Sequence, residues 1–397
     1  MSYEPGAAVA AGEIPLCVPE LGGREWEYVK ECLDTNMVSS VGPFVGQFEK
    51  MLAGYTGTQQ AVATVNGTAA LHIAMMVAGV RPDDEVITST LTFIAPVNAV
   101  RYAGAHPVLI DCEPLYWQMD PIKVRLFLEQ ECERRGGALY NRRSGRRVSA
   151  IMPVHILGHP VEMDGILAAA EEFGLVVIED ATESLGALYK DRKIGSLGHI
   201  ACFSFNGNKL ITTGGGGMIV SDNATWMERA RYLVTQAKDD PLEYIHGTVG
   251  YNYRLTNVLA ALGCAQMEQL EHHIAAKRRI AETYRQALQM IPGLTPMREH
   301  WDVFSVFWMY TALVEPGQFG MDSRALLRAL AAEGIHTRPL WQPVHRSPAY
   351  PGVQAYECVV ADEIQRDAIS LPCSVGLTEE DQQRVIHALV RLQSRGA

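Results

Sequence analysis

Between residues 61 and 179 the chain repeats one pattern: a short apolar run, a turn, then a segment whose apolar positions recur at helical spacing. Runs suited to strands fall at 61–65, 85–88, 107–111, 150–154 and 176–179, and helical segments at 69–80, 95–102, 121–131 and 165–173 separate them. Strands joined through helices cannot pair as hairpins, so the pattern predicts a mostly parallel sheet covered by helices on both faces. Ligands of such sheets sit beyond the carboxyl ends of the strands, which makes the residues closing each apolar run the ones to inspect.

The flanking sequence breaks this rhythm. Residues 1–12 read as disordered and 14–20 as an extended lead-in, followed by helical periodicity at 23–34 (Trp26, Val29, Cys32, Leu33) and 44–55 (Phe48, Met51, Leu52), with a loop at 38–43. Residues 256–290 read as one or two long helices bridging to a second unit. That unit has a strand at 308–314, a helix at 323–332 capped by Asp322 or Ser323, a strand at 335–340 and a closing helix at 379–391. The predicted organisation is an N-terminal extension 1–22, a large domain 23–255, connecting helices 256–290 and a small C-terminal domain 291–397. Residues 133–149 stand apart, with six arginines around two glycine turns. They predict an exposed hairpin insertion or, alternatively, a basic rim that steers an anionic substrate.

Charge narrows the function classes. With 34 basic against 45 acidic residues the net charge is −11, so no global basic field draws the chain to nucleic acid or to an anionic membrane, and any anionic ligand must be held locally. The eight cysteines are scattered without a C-x-x-C pair, which predicts free thiols in a reducing compartment. The first dozen residues lack the pattern of a secretory leader, and no apolar run reaches the roughly eighteen residues of a membrane span, so a cytoplasmic location is expected. His155 and His159 have i, i+4 spacing, but Gly158 and Pro160 argue against a helix there, and no metal site is predicted.

Two stretches carry chemistry. The run 174–180 ends in Glu179 and Asp180, and a carboxylate at a buried strand end is costly unless a cation or hydrogen-bond donors meet it. A pyridinium nitrogen would be such a cation; capping of the next helix is the plainer role. In the stretch 201–222, ACFSFNGNKLITTGGGGMIVSD, Lys209 lies between two apolar runs and is followed by Thr212, Thr213 and four glycines. A lysine so placed suits a cofactor held as a Schiff base, though a solvated lysine in a glycine hairpin has the same local sequence. Phe93 could stack on a planar ring, while Ser204 and the backbone of Gly67 and Thr68, at a strand-to-helix turn, could hold a phosphate. A dinucleotide-binding dehydrogenase fits poorly, because Lys209 precedes the glycines and a strand follows them.

In the same order these residues resemble the DegT/DnrJ/EryC1/StrS sugar aminotransferases over nearly the whole chain. The matching segments are Asn66-Gly67-Thr68-Ala69-Ala70-Leu71, the strand end from Glu179 through Gly186 to Ala187, the segment from Ser204 through Lys209 to Gly214, and Gly250-Tyr251-Asn252-Tyr253-Arg254. The resemblance implies an aspartate-aminotransferase-like α/β fold (fold type I), with a large, mostly parallel seven-stranded-type sheet domain and a smaller C-terminal α/β domain. It implies pyridoxal 5′-phosphate linked to Lys209, with pyridoxamine 5′-phosphate as the alternate form. Asp180 then pairs the ring nitrogen, Phe93 stacks on the ring and Glu183 lies near its hydroxyl. Gly67, Thr68 and Ser204 take the phosphate, and Asn252 reaches the cofactor of a partner subunit in a homodimer with shared sites. Ser39, Arg338 and His345 fall in segments that line the sugar-nucleotide site of relatives. Gly215 stands where a glutamate is commoner.

The implied reaction moves an amino group from L-glutamate to a ketone of a nucleotide-linked keto sugar. The segments FNGNKLITTGGGGMIV and VSSVGPFV resemble most the branch acting at C4 of UDP-2-acetamido-2,6-dideoxy-4-keto-hexose. Amination at C3 of a dTDP or UDP sugar and a non-catalytic regulator that holds the cofactor are the alternatives; dehydratase relatives carry histidine in place of Lys209.

Overall fold

A computed structural model describes residues 12–396 apart from Pro241, so the disorder expected at 1–12 lies outside the described residues except for Gly12. Seven strands make the body of the main sheet: β1 Gln60–Thr64, β2 Glu85–Ser89, β3 His106–Ile110, β4 Arg147–Met152, β5 Val176–Asp180, β6 Ile200–Ser204 and β7 Gly217–Ser221. Their spatial order is β1-β7-β6-β5-β4-β2-β3. Neighbours from β6 to β3 run parallel, and β7 runs antiparallel to both β6 and β1. The start of β7 therefore lies at the carboxyl edge, level with the ends of β1 and β6, with Gly217 opposite both Thr64 and Ser204.

Side-chain alternation places the two halves of the core. Val62, Val86, Ile178, Cys202 and Ile219 point to one face and pack with Ile73, Val100 and Met227, whereas Ala63, Ile87, Val177, Phe203 and Met218 join Phe48 and Leu52 on the other. Each large apolar side chain so buried stabilises the fold by about 1.5–3 kcal/mol. The parallel register is thereby fixed, since a slip of one residue would exchange the two faces.

The arginine-rich insertion is a hairpin, Cys132–Arg135 with Ala138–Asn141, paired onto β4. Arg147, the first residue of β4, donates to Asp84 just ahead of β2, so the hairpin hangs from the amino ends of the strands. The hairpin is therefore at the edge opposite the carboxyl ends of the strands, where the residues singled out for chemistry fall. A further parallel strand, Gln354–Tyr356, extends the sheet beside β3.

The helix expected at 23–34 forms, with Trp26 and Leu33 outward, and the strand expected at 335–340 is corrected. In the first helix, Glu25–Asp34, the face turned inward carries Glu25, Tyr28 and Cys32, while Trp26 is 78% and Leu33 55% exposed. Glu25 tolerates burial because Gln266 Nε2 donates to it at 2.6 Å. Residues 335–340 form no strand but touch their neighbours through single bridges, Ile335 to Ile14 and Arg338 to Ser370. Pro339, lacking an N–H, cannot extend that ladder. The bridging segment is two helices, Asn257–Glu268 and Leu270–Leu288, followed by an antiparallel sheet of Leu294–Pro296, Tyr310–Val314 and Ala368–Leu371. No helix among the described residues is long and apolar enough to cross a membrane.

Candidate active site

At the carboxyl edge, β1 passes through Val65 and Asn66 into the helix Gly67–Val77. Asn66 caps that helix, its Oδ1 accepting from the Ala69 N–H at 2.8 Å. The first N–H groups of a helix have no partner within it and carry a partial positive charge, which is what a phosphate needs. Gly67 is sterically required: a Cβ there would lie 2.8 Å from Cβ of Ser204. Its absence brings the Ser204 hydroxyl against the helix N-terminus, with Thr68 half-buried beside it. Gly217 serves the same approach, since a Cβ would meet the Asn66 carbonyl oxygen at 2.4 Å. The glycine run thus packs against the strand-to-helix turn at Asn66 and Gly67 as well as turning behind Lys209. At Gly215 a Cβ would meet only the Val65 carbonyl oxygen, at 3.8 Å, so nothing steric demands glycine there.

The end of β5 separates its two carboxylates. Glu179 accepts from the N–H groups of Gly195 (3.0 Å), Leu197 (2.9 Å) and Gly198 (2.6 Å) and pairs with His155 at 3.3 Å. Burial would raise its pKa, but these donors, His155 foremost, outweigh burial and hold it below its ordinary value. Asp180 accepts from the Thr182 N–H at 3.1 Å through Oδ1, while Oδ2 is buried without a partner. Burial pushes Asp180 up, only partly offset by Thr182 and the Lys209 ammonium. An under-satisfied buried carboxylate at this edge fits a group that brings its own N–H cation.

Lys209 approaches the same end. Its Nζ lies 3.2 Å from Glu183 Oε1 and 3.9 Å from the centre of the Trp308 ring. Glu183, whose Oε2 accepts from the Leu157 N–H at 2.8 Å, is fully buried, and its pKa is raised by that burial. The Trp308 indole N–H donates to the Asn208 carbonyl at 2.7 Å, fixing the ring next to the lysine. The charge on Lys209 is thus held between a carboxylate and an aromatic face. Sequence alone does not mark Trp308, which reads only as the start of a strand; its proximity to Lys209 is purely tertiary.

The other candidates are spread over this edge, the 38–43 loop and the second unit. Phe93, three residues beyond Thr90, presents a 52% exposed ring. His345 Nδ1 is 2.7 Å from Thr90 Oγ1, which places it at the end of β2. The Ser39 carbonyl accepts from the Asn257 N–H at 2.6 Å and the Ser40 carbonyl from Arg254 at 3.2 Å, so the 38–43 loop rests on the turn that carries Asn252. Asn252 itself is exposed. Arg338 is held in the second unit, its Nη1 donating to the Thr337 carbonyl at 2.8 Å. His155 and His159 serve the structure: the former supports Glu179, and burial pushes the latter down to about 4.

A lysine, a paired and an unpaired carboxylate, and a helix N-terminus beside Ser204, all at one edge of a fold-type-I sheet, fit a pyridoxal-phosphate enzyme. The chain belongs to the DegT/DnrJ/EryC1/StrS aminotransferase family, whose model matches residues 19–390. It is similar to a GDP-perosamine synthase of Caulobacter vibrioides, at 41% identity over 95% of this chain and 97% of that one. A GDP-perosamine synthase of Escherichia coli O157:H7 is 38% identical over 92% and 95%. Among solved structures, DesI in the presence of its TDP-sugar product superposes with a TM-score of 0.87 at 28% identity, covering 98% and 95% of the two chains. A family member from Brucella abortus gives 0.84 at 26%, covering 93% and 95%. The protein is accordingly a pyridoxal-phosphate-dependent aminotransferase acting on a nucleotide keto sugar.

Proposed function

We propose that the protein transfers the amino group of L-glutamate to the C4 ketone of a nucleotide-linked 4-keto-6-deoxy sugar, on a route to surface-glycan sugars. UDP-2-acetamido-2,6-dideoxy-4-keto-hexose is the favoured acceptor, supported by the resemblance of the 38–45 and 205–220 segments. A GDP-linked sugar is the second reading, favoured by the relatives named GDP-perosamine synthase. The observation carrying the chemistry is the buried, unpartnered Oδ2 of Asp180 on the strand end that Lys209 faces.

Pyridoxal phosphate, when bound, supplies an aldehyde that exchanges for an amino group and a ring that withdraws electrons from the adjoining carbon. Asp180 Oδ2 would hold the proton on the ring nitrogen, and that cation would give the carboxylate oxygen its missing partner. Gly67, Thr68 and Ser204 would bind the phosphate through N–H and hydroxyl donors, and Phe93 would stack on the ring. Lys209 Nζ would hold the cofactor and, as a free amine, would carry the proton at the substrate α-carbon. Glu183 Oε1, 3.2 Å from that nitrogen, would pair with it whenever it is protonated. Ser39, Arg338 and His345 are assigned to the sugar nucleotide.

The site is completed across a homodimer, with Asn252 of each protomer reaching the phosphate held by its partner. In support, Asn252 is exposed next to a loop whose Leu242, Tyr244 and Val249 are 81%, 67% and 77% exposed, an apolar face suited to a second copy. The test is to incubate the protein with L-glutamate and a panel of UDP-, GDP- and dTDP-linked 4-keto and 3-keto sugars. Amine appearing only on 4-keto sugars supports the reading. Turnover confined to 3-keto sugars overturns it, and the preferred base decides between UDP and GDP.

A further inference from the structure

Beneath the loop that bears Lys209 lies a cluster the transamination does not use. Lys277, 2% exposed on the helix Leu270–Leu288, donates through Nζ to the carbonyls of Cys373 (2.6 Å) and Trp308 (2.8 Å). The same Nζ lies 3.4 Å from Cys17 Sγ and 3.7 Å from Cys373 Sγ. A buried ammonium normally faces a carboxylate, and none is among these contacts; the thiols are the groups able to carry the compensating charge. The backbone holds the two sulfurs together, because the Cys373 N–H donates to the Leu16 carbonyl at 2.7 Å and the Val18 N–H to Ser374 Oγ at 3.0 Å.

The two thiols differ in reach. Cys17 is partly exposed, whereas Cys373 is 1% exposed. Cys17 also contacts the active-site loop, its Sγ lying 3.7 Å from the carbonyl oxygen of Asn208, next to Lys209. The hydrogen bond from Cys373, opposed by burial and aided by the Lys277 ammonium, brings the Cys17 thiol down to about 6.

We propose that Cys17 and Cys373 are an oxidisable pair, primed by Lys277, that hydrogen peroxide converts to a disulfide directly under the Lys209 loop. The Cys17 thiolate attacks one peroxide oxygen and breaks the O–O bond, giving a sulfenic acid and hydroxide, which takes a proton from Lys277 and leaves as water. The Cys373 sulfur then attacks the Cys17 sulfur, and the S–O bond breaks as the hydroxyl departs with the Cys373 proton as a second water. The two sulfurs together lose two electrons, the peroxide gains them, and Lys277 recovers its proton from solvent.

The experiment exposes the holoenzyme to hydrogen peroxide, blocks remaining thiols with iodoacetamide and maps peptides by mass spectrometry. The expected result is a Cys17–Cys373 cross-linked peptide that dithiothreitol releases and that Cys17→Ser or Cys373→Ser abolishes. Recovery of both cysteines alkylated, or of Cys17 over-oxidised beside a free Cys373, overturns the proposal. A second measurement needs no variant: the alkylation rate of Cys17 in untreated holoenzyme should level off near pH 6. A rate still climbing through the ordinary thiol value of about 8.5 contradicts the priming by Lys277.

Discussion

Glu179 and Asp180 are adjacent, both buried and both at the end of β5, yet they are opposite kinds of residue. Because side chains alternate along a strand, Glu179 points into three backbone N–H groups and His155, while Asp180 points to the other face with one oxygen unmet. The first carboxylate is finished by the fold and serves it. The second is left unfinished by the fold, at the cost of stability, and the proposed function completes it with a ligand's cation. Unsatisfied buried charge, more than charge itself, distinguishes the functional residue.

The largest effect expected is on the other half of the unfinished site. Lys209→Ala should lower turnover by at least about 10³-fold, measured as amine formed on the sugar, with thermal stability of the unloaded protein little changed. Near-normal turnover would remove the lysine from the scheme. The comparison itself is sharpened by paired isosteres. Asp180→Asn should cut turnover by about 10²-fold while shifting unfolding free energy by no more than about 1 kcal/mol, because it removes an under-partnered charge. Glu179→Gln should cost about 3 kcal/mol in denaturant unfolding, because it breaks a fully bonded buried carboxylate, and leave activity per folded molecule much closer to wild type. If both variants lose mainly stability, or both mainly activity, the distinction collapses.

The two carboxylates should also give opposite pH slopes in the unloaded protein. The folded pKa of Asp180 is raised above its ordinary 3.8, so the folded state holds more protons and this group's contribution falls as pH climbs through the folded value. Glu179 lies below its ordinary 4.5, so its contribution is present above that value and is lost as pH falls through the folded one. Urea unfolding across the acidic range should show Asp180→Asn removing the first slope and Glu179→Gln the second. Bound cofactor should erase the Asp180 slope in the wild type.

The smallest effects concern the glycines. Gly217→Ala should destabilise by about 1–3 kcal/mol, since its Cβ would press on the Asn66 carbonyl, and should weaken phosphate binding. Gly215→Glu should stay within about 0.5 kcal/mol of wild type, because space is open there. A large cost at Gly215 would show a constraint beyond steric contact.

Much of the fold was legible because β-α alternation is a local signal: strands β1 to β7 appear within a few residues of their expected places. Segments that depend on tertiary partners were not. Trp26 and Leu33 follow helical spacing yet face solvent in this chain, since the helix turns Glu25, Tyr28 and Cys32 inward against Asn257–Glu268. Residues 335–340 look like a strand but find only single bridges. In the site, Asp180 and Lys209 could be marked from strand ends and motif order. Which of two neighbouring carboxylates is satisfied could not, because the donors of Glu179 come from residues 195–198 and from His155. Trp308 lies 99 positions from Lys209, and no local pattern announces that contact.

The most direct test is the absorption spectrum of the purified, cofactor-loaded protein before and after L-glutamate is added in the absence of any sugar. A yellow protein whose long-wavelength band gives way to that of the pyridoxamine form, in wild type and not in Lys209→Ala, is the predicted result. A yellow wild type that ignores glutamate would contradict it and leave a protein that holds the cofactor without catalysing transamination from this donor.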